Sequence, residues 1–266
     1  ALTHRAFFFV VIWFTTWVGF FGFFRPEQIL RALPWPVPPL HARFVGSLYL
    51  SATVFLLLAM LARTRLQMRT IVDIALAWTG WLLIVTFVHW EAFDFGRRQT
   101  WFWLVAYIAF PLVAGWLAWQ RAPATSIVAA VAPRWVTRYW VTLGIVLVAL
   151  AILLFFAPSW VATIWPWKIT TFLSQIYSGP VLGYGVACVL LARRRNWIEA
   201  LIPMVGMLVF AVLALIGSSW HLPLFTQGSP SQTIWFGGLA ALAVMSTVLV
   251  AMALRAGALT ARAEEA

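Results

Sequence analysis

Three histidines are the residues of this chain best suited to chemistry. His41, His89 and His221 each stand at the end of an apolar run, on the side where prolines and tryptophans gather, whereas His4 belongs to the N-terminal end. Imidazole ligates haem iron or a metal, and a single ring can hold the magnesium of a chlorophyll. His89 and His221 occupy near-equivalent places in the two halves of the sequence, displaced by one position, so pseudo-symmetry would put them on opposing helices. That displacement would turn them by about 100° on helices. No H-x-x-H, Glu-x-x-His or cysteine pair accompanies them. The simpler reading of His41, His89 and His221 is interfacial histidines hydrogen-bonded to backbone or water. A haem, chlorophyll-type pigment or quinone is the alternative cofactor, and no metal site is expected.

The other chemical side chains point away from catalysis and from coupled transport. Asp73 and Glu199 fall at one end of their apolar runs, Glu91 and Asp94 at the opposite end, and Glu264 and Glu265 in the tail. None is expected at mid-membrane, where an ion-driven carrier needs an ionisable group that is costly to hold there. The sequence contains no nucleotide-binding loop, no G-x-S-x-G and no zinc-protease helix, so no catalytic residue is expected.

Composition explains this scarcity. Of 266 residues 64% are hydrophobic and 9% charged, with a mean hydropathy of +0.93, far from the roughly one quarter charged residues of soluble domains. Such a chain must use lipid as its solvent. The net charge of +11 resides largely in arginines that flank apolar runs, which reads as topology and headgroup contact, not nucleic-acid binding. The single cysteine, Cys188, lies in an apolar run, so no intrachain disulfide forms.

Eight runs are long enough to cross a hydrocarbon core of about 30 Å. They are Ala6 to Phe24, Phe44 to Ala62, Ile71 to Trp90, Thr100 to Trp119, Tyr139 to Ala157, Thr170 to Ala192, Ala200 to Ser219 and Thr233 to Leu254. Arg63, Arg65 and Arg69 fall in one connecting loop, Arg121, Arg134 and Arg138 in the loop two spans on, Arg193 to Arg195 in the next of that parity, and Arg255 and Arg262 in the tail. Positive residues collect on the cytoplasmic side, which places both termini there. The expected location is the cytoplasmic (inner) membrane of a bacterium.

The opposite side carries two related hairpins. Phe23, Phe24, Pro26 and Pro34-Trp35 return as Phe155, Phe156, Pro158 and Pro166-Trp167. Gly46 is matched with Gly179, Leu61-Ala62-Arg63 with Leu191-Ala192-Arg193, and Gln99-Thr100 with Gln232-Thr233. The expected fold is thus an all-α polytopic membrane protein of two tandem parallel four-helix repeats, residues 1–121 and 138–266, joined by a linker at 122–137.

Two further features concern packing. Gly179 and Gly183 form a G-x-x-x-G beside Pro180, a surface another helix can approach closely, with Gly46 as its softer counterpart. Trp35 and Trp167 are expected to insert between span ends and close the outer face, while the remaining indoles of 18 form an aromatic belt. These features favour a non-catalytic membrane protein, an accessory subunit in contact with lipid and other membrane subunits. A small-molecule carrier or cofactor protein with a site near the outer leaflet is the alternative.

Overall fold

The structure, a computed structural model, describes residues 2–120 and 131–265, with side chains as far as Ala256. Among these residues there are helices and no β-strand. Nine α-helices follow in order: α1 (Leu2–Phe24), α2 (Pro39–Leu61), α3 (Arg65–Val88), α4 (Arg98–Trp119), α5 (Arg134–Phe156), α6 (Pro158–Ile164), α7 (Thr171–Arg194), α8 (Trp197–Ser219) and α9 (Pro230–Glu265). All except the short α6 are long and apolar enough to cross a membrane, and the chain is a multi-pass integral membrane protein.

Local chemistry sets where the helices begin. Thr64 caps α3: its hydroxyl accepts from the Gln67 amide at 3.3 Å, while the Gln67 side chain accepts from the Thr64 amide at 3.1 Å. Thr170 and Asn196 cap α7 and α8 by accepting from Leu173 N and Ile198 N. Proline opens α2 and α6, where the missing N–H has no intrahelical role.

These starts correct the placement of the arginines. Arg65 and Arg69 stand in the first turns of α3, Arg134 and Arg138 in α5, and Arg193 and Arg194 in the last turn of α7, not in loops. The helices extend past the apolar runs, and the long arginine stems let the charged heads reach the interface from helical positions. Of the expected linker, residues 122–130 lie outside the described residues. Its last residues, from Arg134, belong to α5, and Ala132 is tied to the α7–α8 junction through a hydrogen bond from its backbone N–H to Arg195 O at 2.9 Å.

Helix neighbours follow a regular scheme. Helix α2 packs on α8, α7 packs on α3, and α3 touches α8, which makes a central group of four. Each is covered by one outer helix: α1 on α2, α5 on α7, α4 on α3 and α9 on α8. The most buried spans are the central α7 and α2, at 78% and 67%, and the least buried are the outer α5 and α9, at 28% and 22%, while outer α1 equals central α3 and α8 at 50%. Short 3₁₀ helices, Pro26–Arg31, Trp90–Ala92 and Leu222–Leu224, lie in the connections, and the element starts keep a constant spacing. Pro26 and Pro158, Pro39 and Thr171, Arg65 and Trp197, Trp90 and Leu222, and Arg98 and Pro230 are each 132 residues apart.

Small residues permit the closest helix contacts. A Cβ on Gly46 would lie 2.4 Å from the backbone N of Phe23, and one on Gly22 would lie 2.8 Å from Ala42 O, so α1 and α2 meet backbone to backbone. Gly179 and Gly183 face α3 instead, against Leu82 and Trp78. Gly46 and Gly179 therefore sit on different interfaces. At the 132-residue spacing it is Ser47 and Ser51 that pair with Gly179 and Gly183, and His89 pairs with His221 without displacement.

Candidate functional site

The three histidines lie at the face of the molecule that carries the proline-rich connections. His41 stands in the first turn of α2, just after Pro39, and is buried. Its Nε2 lies 3.0 Å from the Lys168 carbonyl, which can only accept, so Nε2 carries the proton. Its Nδ1 receives the Tyr177 hydroxyl at 2.6 Å and is approached by the Trp167 indole N–H at 3.4 Å. The ring is thus a neutral imidazole with both nitrogens engaged, linking the start of α2 to α7 and to the segment before it.

His89 and His221 end α3 and α8 in like fashion. His89 Nε2 bonds Gln175 Oε1 on α7, and Arg43 on α2 donates to His221 Nε2. Arg43 also lies over the Trp220 ring, 5.1 Å from its centroid, a favourable cation–π position. Gln175 follows Arg43 by the same 132 residues that separate the two histidines. A third pair repeats the spacing: Trp103 donates to Thr86 and Trp235 to Ser218, both at 2.9 Å. Burial, followed by the positive Arg43, holds the His221 imidazole below its usual value of 6.5.

Trp35 and Trp167 are both 5% exposed. Trp35 rests edge-on against Phe93, Trp103 and Phe172, and Trp167 against Phe44, Phe225 and Trp235. Their surroundings differ in one polar respect: Trp167 has His41 in front of its N–H, whereas the Trp35 N–H has no hydrogen-bond partner. Leu173 stands 132 residues after His41, so the side chain that would have met Trp35 is apolar.

Two polar groupings lie apart from the histidines. One is a set of hydroxyls inside the spans: Tyr49 bonds Tyr107, Tyr184 bonds Ser51 at 2.7 Å, and Thr53 donates to Thr15 at 2.9 Å. Beside it, between Tyr49, Tyr107, Trp78 and Phe14, is a cavity of about 30 Å³, far below the several hundred Å³ of small-molecule pockets. Four of the five tyrosines are buried, and their occurrence with serine and threonine inside apolar runs was the available sequence signal. The other grouping lies at the arginine-rich face, around Asp73 and Glu199. Arg194 donates to Asp73 and to Glu199, both at 2.9 Å, and Thr70 bridges Arg194 and Glu199.

The structure does not gather His41, His89 and His221 into one cluster: among the described residues no three His, Cys, Asp or Glu side chains could share a metal ion. Each of the three has Nε2 committed to a protein partner, and His41 has Nδ1 committed as well. The arrangement is that of a polar clasp joining helix ends. Comparison with protein-family models, with curated proteins and with solved structures gives no match for this chain.

Proposed function

We propose that this chain is a non-catalytic integral membrane subunit, built from two tandem four-helix repeats and serving as a structural or accessory component of a larger membrane complex. The observation that carries the reading is the internal use of its polar side chains. His41, the hydroxyls and Arg194 are each bonded to partners on other helices, which leaves little chemistry facing a substrate. The repeat reading draws support from the constant 132-residue spacing of element starts and from the matched contacts of α2 with α8 and α7 with α3. Two parallel repeats would be related by a pseudo-two-fold axis along the membrane normal. The arginine bias supports cytoplasmic termini.

The partner face on this reading is α9. Ile234, Gly237, Ala241, Val244 and Val248 form one exposed stripe, and nothing lies within 4 Å of where a Gly237 Cβ would be. Small residues on a membrane-exposed helix allow another helix to approach closely. A photo-crosslinker at Ala241, introduced in native membranes, should yield one discrete protein adduct that Gly237→Trp abolishes; adducts with lipid alone would defeat the subunit reading. The cofactor alternative has its own test. The purified protein should absorb only as tryptophan and tyrosine do, and a haem or chlorin band would overturn the non-catalytic assignment.

A further inference from the structure

A cavity of about 720 Å³ opens between α1 and α4 on the first half of the molecule. Trp13, Trp17, Phe102 and Val105 form its sides, while Arg31 and Arg98 line it at the end nearer the proline-rich face. Both arginines are exposed, and neither has a hydrogen-bond or carboxylate partner for its guanidinium among the described residues. Arg31 is held at this place by its own backbone, whose carbonyl accepts from the Trp17 indole at 3.1 Å.

The dimensions suit one leaflet of a bilayer. From Arg98 to Phe110, the deepest residue of α4 in the groove, the helix rises about 18 Å, slightly more than half a hydrocarbon core of about 30 Å. Its charge is equally specific. Two guanidiniums at headgroup level above an aromatic channel complement an anionic head carried on a hydrocarbon chain. Aromatic and aliphatic walls alone would accept any lipid tail.

The other half of the molecule supplies a control. At the 132-residue spacing, Arg31 and Arg98 are replaced by Thr163 and Pro230, and Trp13 and Trp17 by Ile145 and Ala149. The positions are framed by corresponding helices, but the cations and the indoles occur on one side only. General lipid solvation would not require that difference.

We infer that the α1–α4 groove is a binding site for an anionic phospholipid of the leaflet adjoining the proline-rich face, its phosphodiester between Arg31 and Arg98 and one acyl chain along Trp13, Trp17 and Phe102. The inference is independent of whether the chain has a protein partner on α9.

Native mass spectrometry of the full chain, titrated with phosphatidylglycerol or phosphatidylcholine of identical acyl chains, tests this. The wild type should retain one phosphatidylglycerol at least tenfold more tightly than phosphatidylcholine. The Arg31→Gln, Arg98→Gln double variant should bind the two lipids equally, whereas Arg25→Gln, an exposed arginine outside the groove, should keep the preference. Should the double variant fold poorly, Val105→Trp fills the channel without touching either charge and should also remove the bound lipid. Equal retention of the two lipids by the wild type, or an unchanged preference in the double variant, would overturn the proposal. Displacement of the lipid by an equal concentration of glycerol phosphate would also overturn it, since recognition would then need no chain.

Discussion

Because Arg43 can only donate, its bond to His221 Nε2 requires that nitrogen to be unprotonated. An imidazole held below 6.5 in the folded protein binds fewer protons than the same residue unfolded, so its contribution is complete above pH 6.5 and is lost as pH falls from there through the lower folded value. The melting temperature should therefore be level at neutral and mildly alkaline pH and decline below about pH 6.5. In His221→Asn the decline should be shallower in a pH series of thermal melts. The node at the opposite face is less exposed, with Arg194 joined to a Glu199 side chain of 2% exposure. Removing the charge by Arg194→Met leaves buried carboxylate without its partner and should cost about 3–5 kcal/mol in denaturant titrations. The positions of these groups near helix ends were legible in sequence, because charge and histidine interrupt apolar runs. Their partners were not: Gln175 and Arg43 became identifiable only when the structure showed which helices adjoin.

At the scale of the helix pair, the closest contacts separate two kinds of glycine. Gly46 faces backbone, since a Cβ there would lie 2.4 Å from Phe23 N, and backbone cannot rotate away. Gly183 faces the Trp78 Cβ at 3.2 Å, a contact that small adjustments absorb. Gly46→Ala should thus lower stability by about 1–3 kcal/mol, the size of an overpacking penalty, and Gly183→Ala by clearly less, as read from detergent-solubilised thermal melts. Gly183→Ile should approach the Gly46→Ala cost. The G-x-x-x-G was visible in the sequence as a surface for close approach, but its partner was not, because the pattern carries no information about the opposing helix. The same limit explains the mismatch of Gly46 with Gly179. Similar residue types one position apart lie about 100° apart on a helix and face different neighbours.

Across the whole molecule, eight spans were readable because lipid demands long apolar helices, and the relations between them were harder to read because lipid imposes little on which helices meet. Orientation is the remaining property that charge alone specifies. The face with Arg63, Arg65, Arg69 and Arg193 to Arg195 is rich in cations, and the opposite face mixes cations with Glu27, Glu91 and Asp94. Arginine in short connections and in the span ends beside them is retained on the cytoplasmic side, so the proline-rich connections should be outside. Cysteine substitutions can test this against a quiet background, since the native Cys188 is buried. Arg63 is exposed beside the α3 cap, and Thr226 is exposed in the connection before α9, so neither substitution disturbs the core. With a membrane-impermeant maleimide on intact cells, Thr226→Cys should label and Arg63→Cys should not, and permeabilisation should make both reactive. Labelling of Arg63→Cys alone in intact cells would reverse the topology. The groove with Arg31 and Arg98 would then face the cytoplasmic leaflet, with its geometry and its lipid preference unchanged.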